Sequence, residues 1–159
     1  MSYPIPATQR AVQLIASEEV VLNESKPVFA PRSRQVLCRV EAVGLCFSDL
    51  KLLHQFSSHP RKSEIISGIA QEVLNEIPGY VPGDRPTVLG HEAVVRIWAV
   101  GDQVHDFKPG ERYLVQADYR WLHTQGANAA FGYNFEGALQ EFVLLDERAI
   151  TSPTGETTL

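Results

Sequence analysis

The stretch Gln35-Val36-Leu37-Cys38-Arg39-Val40-Glu41-Ala42-Val43-Gly44-Leu45-Cys46-Phe47-Ser48-Asp49 decides how the rest of the chain is read. Val36, Cys38, Val40 and Ala42 share one face of an extended segment, and Leu37, Arg39, Glu41 and Val43 share the other. Such period-2 alternation, rich in β-branched residues, predicts a half-buried strand over residues 35–43. Gly44 closes it, a residue that tolerates the backbone angles of a sharp bend. Cys38, in register with Val36 and Val40, reads as a small core residue. Cys46 differs, because Ser48 and Asp49 follow it at once. A thiol, a hydroxyl and a carboxylate therefore crowd the point where the chain leaves the strand.

Strand signals continue on both sides. Residues 11–15 and 20–22 are short β-type runs separated by Ala16-Ser17-Glu18-Glu19, a hairpin turn, and Pro27 and Pro31 mark a loop before the central strand. A second β-rich region opens at Thr87. Residues 93–100 are apolar apart from Arg96, Gly101-Asp102-Gln103 and Phe107-Lys108-Pro109-Gly110-Glu111 are turns, and residues 112–116 and 139–145 complete the strands. Many short strands between Gly- and Pro-bearing turns predict a mainly β fold with some α, a partly open barrel with peripheral helices.

Two stretches break the pattern. Ile65, Ile69, Val73 and Ile77 recur at four-residue steps, which predicts an amphipathic helix over residues 63–77, capped by Ser63 and ended by Pro78-Gly79. Residues 118–135 are aromatic and rich in Gly and Asn, and read as a long loop of the kind that carries function. Residues 1–150 read as one domain, and the polar residues 151–159, with Pro153 and Gly155, as the start of a linker.

Composition bounds the function. A chain of 159 residues suits one domain, and 44% hydrophobic with 21% charged residues is globular rather than disordered, collagen-like or disulfide-built. Lys and Arg number 14 against 19 Asp and Glu, a net charge of −5 that argues against nucleic-acid partners. Cys38 and Cys46 alone make no disulfide framework. The N-terminus lacks a secretory pattern and no apolar run approaches the roughly 20 residues of a membrane span, so the expectation is a cytoplasmic protein with no membrane partner.

The second candidate site is Gly90-His91-Glu92, ahead of the apolar strand from Ala93. Thiolate and imidazole are ligands that Zn²⁺ favours, and a metal-bound histidine usually gives its other ring N–H to a carboxylate. Asp49 and Glu92 both qualify for that second role. His54, His59, His105 and His123 fall in polar, loop-like sequence and read as surface residues.

Residues 35–49 resemble the zinc-site strand of medium-chain, zinc-dependent alcohol and polyol dehydrogenases, and Gly90-His91-Glu92 is similar to the second zinc motif of that family. Val100-Gly101-Asp102-Gln103-Val104 with Lys108-Pro109-Gly110-Glu111-Arg112, and Gly137-Ala138-Leu139-Gln140-Glu141-Phe142-Val143, resemble its later turn and returning strand. The likeness implies a GroES-like catalytic domain in which Cys46 and His91 ligate zinc and Glu92 can enter the coordination sphere. It implies that Ser48 relays the alcohol proton and that Asp49 orients the histidine. Ser48, Asp49 and Glu92 are thus the implied catalytic residues, and Cys46, His91 and Glu92 the implied metal residues.

Departures are informative too. The family's third ligand and its dinucleotide-binding domain have no counterpart in these residues, nor does the Cys-rich structural zinc lobe, which favours the polyol-dehydrogenase branch. Cys46 and His91 stand farther apart in sequence than is usual, and Val95 replaces a common glycine. The expectation is a catalytic-domain fragment of an NAD- or NADP-linked dehydrogenase or reductase for a sugar alcohol, sugar phosphate or other secondary alcohol. Alone it should hold Zn²⁺ weakly, bind no nicotinamide cofactor, turn over no alcohol or carbonyl substrate, and expose an apolar face able to drive self-association. The alternative is a stand-alone GroES-like module that binds a metal or a partner without redox activity.

Overall fold

Alternation and turn chemistry place the β1–β2 hairpin, the central strand and the strand after His91 where they were expected, and the register between strands builds the site. In the computed structural model, which describes residues 3–159, β1 (Thr8–Ala16) and β2 (Glu19–Pro27) form an antiparallel hairpin, with Glu18 at φ 61 in its turn. β3 (Gln35–Gly44) leads through Leu45 and Cys46 into α1 (Phe47–Gln55). β4 (Ile65–Ser67), α2 (Gln71–Asn75), β5 (Thr87–Val88), β6 (Glu92–Val100) and β7 (Arg112–Leu114) follow. β8 (Asp118–Thr124), β9 (Asn128–Ala130), β10 (Phe142–Asp146) and α3 (Glu147–Ile150) complete the order.

The strands form three sheets, ordered β2-β1-β5, β10-β3-β6-β7 and β4-β8-β9, none of them closed on itself. The fold is mainly β with few helices, as the spacing of turns predicted. β3 is central: Cys38 pairs with Val143 of β10 and with Ile97 of β6, and all three are buried. Its last pair is Gly44 with Glu92. That register places Cys46, two residues beyond Gly44, beside His91, one residue before Glu92. Sheet pairing, not sequence proximity, makes them neighbours.

Beneath α1 lies a cluster of Leu14, Leu52, Phe56, Leu89, Ala130 and Tyr133. Leu14 and Leu52 are fully buried, and each such side chain contributes about 1.5–3 kcal/mol through area removed from water. The β1–β2 turn secures the other end of α1. Glu18 N–H donates to the Leu53 carbonyl at 2.8 Å and the Ser17 hydroxyl to that of His54 at 2.5 Å, so carbonyls left open by the end of the helix find partners.

Two expectations are corrected. Residues 63–77 are not one helix. Ile65–Ser67 is β4, paired with β8, and only Gln71–Asn75 is helical. Gly68 breaks the stretch at φ +97, and a Cβ there would stand 2.0 Å from the Trp121 carbonyl oxygen. The apolar residues nonetheless face one core: Ile65 and Ile77 are buried within it, and Ile69 and Val73 pack against it. Residues 118–135 are not one loop either. They hold the β8–β9 hairpin, because Tyr119, Leu122 and Thr124 are drawn into the interior as strand residues. Residues 151–159 lie against the domain. Thr151 bridges to Thr157, Thr158 is buried and Leu159 packs against the core. Among the described residues no helix is long and apolar enough to cross a membrane.

Candidate metal centre

Asp49 organises the site. It is the third residue of α1, and its Oδ2 accepts the N–H of the N-cap residue Cys46 at 2.9 Å, one half of a capping box. Its Oδ1 accepts the Gly90 N–H at 2.8 Å and faces His91 Nδ1 at 2.7 Å. Burial resists ionisation of this carboxyl. The hydrogen bonds from His91, Cys46 and Gly90 outweigh that resistance and hold it below the usual carboxylate range. A charged Asp49 therefore fixes the His91 tautomer with the proton on Nδ1 and directs Nε2 away.

Nε2 of His91 is buried and, among the described residues, has no hydrogen-bond partner. Buried polar atoms of that kind cost roughly 1–3 kcal/mol unless something meets them. The free thiol of Cys46 is half-buried, and ligand atoms of Cys46, Asp49 and His91 lie within 4.8 Å of one another. A soft thiolate beside a lone imidazole nitrogen suits a zinc-like ion, and Asp49, with both oxygens engaged, acts as the support. The residues fit a metal.

Sequence reading named five site residues, and the structure gathers three of them. Ser48, half-buried in the first turn of α1, adjoins the group through its backbone: its carbonyl accepts the Tyr133 hydroxyl at 3.1 Å. Glu92 stands apart. It is exposed at the start of β6, with Oε2 only 2.9 Å from where a Cβ on Gly44 would lie.

Tyr133 and Gly132 lie against His91, neither singled out from sequence, and His59, read from sequence as a surface residue, is half-buried against Tyr133. The Tyr133 ring packs on the imidazole with centroids 4.4 Å apart, and His59 packs on Tyr133 at 4.5 Å. Burial, with the nearby charges of Arg61 and Lys51, holds His59 below the usual imidazole range. Gly132, at φ +81, leaves open the space where a Cβ would come 3.1 Å from Nε2. The aromatic, Gly/Asn-rich composition of residues 118–135 was the one available signal. Beside Cys46 opens a groove of about 520 Å³, lined by apolar residues including Val20, Leu45, Phe47, Leu50 and Leu139.

Residues 32–154 match the family described as the alcohol dehydrogenase GroES-like domain. The sequence is 31% identical over 116 residues to sorbitol dehydrogenase from Bacillus subtilis, covering 73% of this chain and 27% of that protein. It is 28% identical over 148 residues to an NAD-dependent alcohol dehydrogenase from Sulfurisphaera tokodaii, covering 86% and 38%. Among solved structures, 2R,3R-butanediol dehydrogenase from Bacillus subtilis superposes with a TM-score of 0.62 at 18% identity, over 89% of this chain and 39% of that one. The chain thus spans well under half the length of these relatives.

Proposed function

The chain belongs to the alcohol dehydrogenase GroES-like domain family, and from that premise we propose that it is the metal-holding domain of a zinc-dependent, NAD- or NADP-linked dehydrogenase or reductase. We assign it a sugar alcohol, sugar phosphate or other secondary alcohol, or the matching carbonyl compound, as substrate. The single observation that carries the metal reading is the cluster of Cys46, Asp49 and His91, whose ligand atoms lie within 4.8 Å of one another while Nε2 of His91 is buried and, among the described residues, has no hydrogen-bond partner.

Zn²⁺ held there supplies Lewis acidity toward a substrate oxygen. Cys46 contributes a thiolate and His91 an imidazole nitrogen. Asp49 holds His91 in the tautomer that leaves Nε2 free, and at the same time fixes the backbone of Cys46. Ser48, half-buried in the same helical turn, would relay the substrate's alcohol proton towards solvent, its hydroxyl accepting that proton as it gives up its own. Glu92, exposed and lying against Gly44 outside the cluster of Cys46, Asp49 and His91, is kept as an outlying candidate carboxylate for the metal. Hydride chemistry belongs to a nicotinamide cofactor bound outside these 159 residues. The protein works in the cytoplasm in this reading.

Anaerobic titration of the chain with Co²⁺, a coloured substitute for Zn²⁺, tests the assignment. A thiolate-to-cobalt absorption that disappears in Cys46→Ser and weakens in His91→Ala is expected. Absorption unchanged in both variants would move the metal elsewhere.

A further inference from the structure

We propose that Tyr133 is a positioning residue for the metal centre, locking the His91 imidazole to the first turn of α1. The inference rests on the metal reading of Cys46 and His91 and adds a residue that reading does not use.

Asp49 alone does not fix the imidazole. Its contact with Nδ1 fixes one point of the imidazole, at 2.7 Å, but a ring held at one point can still tilt. Tyr133 closes that freedom, with its ring against the imidazole at a centroid distance of 4.4 Å and an angle of 58°. The other end of the same side chain reaches the opposite element. Its hydroxyl donates to the Ser48 carbonyl at 3.1 Å, within the turn that carries Cys46 at the N-cap and Asp49 at the third position. One rigid phenol therefore spans the two elements that carry the ligands.

Tyr133 is itself well held. It is 3% exposed and sits in the cluster with Leu14, Leu52, Phe56, Leu89 and Ala130. Its carbonyl accepts the Thr87 hydroxyl at 3.2 Å, and its N–H donates to the Ala130 carbonyl at 3.2 Å. His59 also packs on the ring, at a centroid distance of 4.5 Å, with its Nδ1 engaged by the Arg61 N–H at 3.2 Å. The phenol thus transmits the position of the β9 end of the domain to the metal ligands. A buried aromatic residue needs a partner for its hydroxyl wherever it sits. Only a partner in the ligand-bearing turn, combined with a ring on the ligand itself, gives the residue this role.

Supporting contacts around metal ligands typically change metal affinity by about 10–100-fold when removed. Tyr133→Leu removes both ring and hydroxyl, and its Co²⁺ affinity should fall by about tenfold, with a shifted and broadened visible spectrum. Tyr133→Phe keeps the ring and loses the hydroxyl; it should recover most of that loss, remaining about threefold weaker than wild type. Val143→Ala, a core change away from the site, lowers thermal stability and should leave the Co²⁺ spectrum as it is. Spectrum and Co²⁺ affinity unchanged in both Tyr133 variants overturn the proposal, whatever happens to the melting temperature. If Tyr133→Leu does not fold, unchanged affinity and spectrum in Tyr133→Phe overturn it alone. A wild-type chain that shows no thiolate–cobalt absorption removes the metal reading and this proposal with it, a result distinct from the first.

Discussion

Asp49 Oδ1 and His91 Nδ1 meet at 2.7 Å although the residues are 42 positions apart, and the same oxygen also accepts the Gly90 N–H. The other carboxylate oxygen closes the cap on Cys46. One side chain therefore sets the helix start, the loop before β6 and the imidazole tautomer. Asp49→Asn can still offer an oxygen to His91 and Gly90, but its amide cannot also accept the Cys46 N–H. Lost capping should lower stability by about 1–2 kcal/mol. Urea unfolding of the metal-free chain measures this. Metal affinity should fall by about 10–100-fold, read by competition with a chelating dye.

Gly132 faces the imidazole at φ +81, and a Cβ there would stand 3.1 Å from both Nε2 and Cδ2 of His91. Gly132→Ala is expected to be strained by its backbone alone and to crowd the ring that the metal must reach. The chain should stay folded, because the added methyl meets a side chain rather than backbone. Metal affinity should drop more steeply than stability does. Parallel melts and Co²⁺ titrations separate the two, and a variant that loses stability while binding as before refutes the crowding argument.

How far residues alone reveal this depends on what each contact requires. The ends of β3 and β6 were legible, since alternation located both strands and their pairing brings Cys46 to His91. The helix assigned to residues 63–77 was not legible as strand, turn and short helix. Four-step apolar spacing arises from any segment whose side chains all turn to one core. What decides against the helix is the Trp121 carbonyl pressed on Gly68, a contact distant in sequence. Tyr133 stayed hidden for the same reason. Its role consists of contacts to Ser48, His59 and His91, and none of them leaves a mark on the residues next to it. Local pattern reports backbone state; the support of a site is a matter of tertiary contacts.

Lys62 offers a test by pH. It is fully buried, with Nζ donating to the carbonyls of Val81 and Arg85 and lying 5.5 Å from the Phe56 ring centroid. Burial, opposed in part by the nearby Asp84 carboxylate, pushes its pKa down to about 7. The unfolded chain keeps this proton to about pH 10.4. Between those values the unfolded state holds more protons than the native state, so stability gains from Lys62 as pH rises through that window. Lys62→Met removes the titration. The stability of wild type relative to this variant should therefore grow by about 1–2 kcal/mol between about pH 7 and about pH 9. Denaturant melts of both proteins across the range decide, and a constant difference would show that Lys62 stays charged in the fold.

The last prediction concerns the cofactor. Dinucleotides bind where a parallel strand passes through a glycine-rich turn into a helix, whose N-terminal N–H groups receive the pyrophosphate. Among the described residues every strand pairing in the three sheets is antiparallel, and the one helix of more than five residues, α1, starts at Cys46 with Asp49 turned into its first N–H. An anion arriving there would meet a carboxylate already in place. Calorimetry of the 159-residue chain with NAD⁺ and with NADP⁺ is therefore expected to show no binding, and the metal-loaded chain is expected to oxidise no polyol. Hydride transfer needs the nicotinamide carbon held against the substrate, and nothing in these sheets provides that orientation. The apolar groove at Cys46, with Phe47 and Leu45 at 75% and 69% exposure, should instead drive concentration-dependent self-association, visible by sedimentation. Phe47→Glu should return the chain to a monomer. Tight nicotinamide binding with turnover by the chain alone would mean that the hydride half of the reaction is also encoded here, against the argument from strand direction.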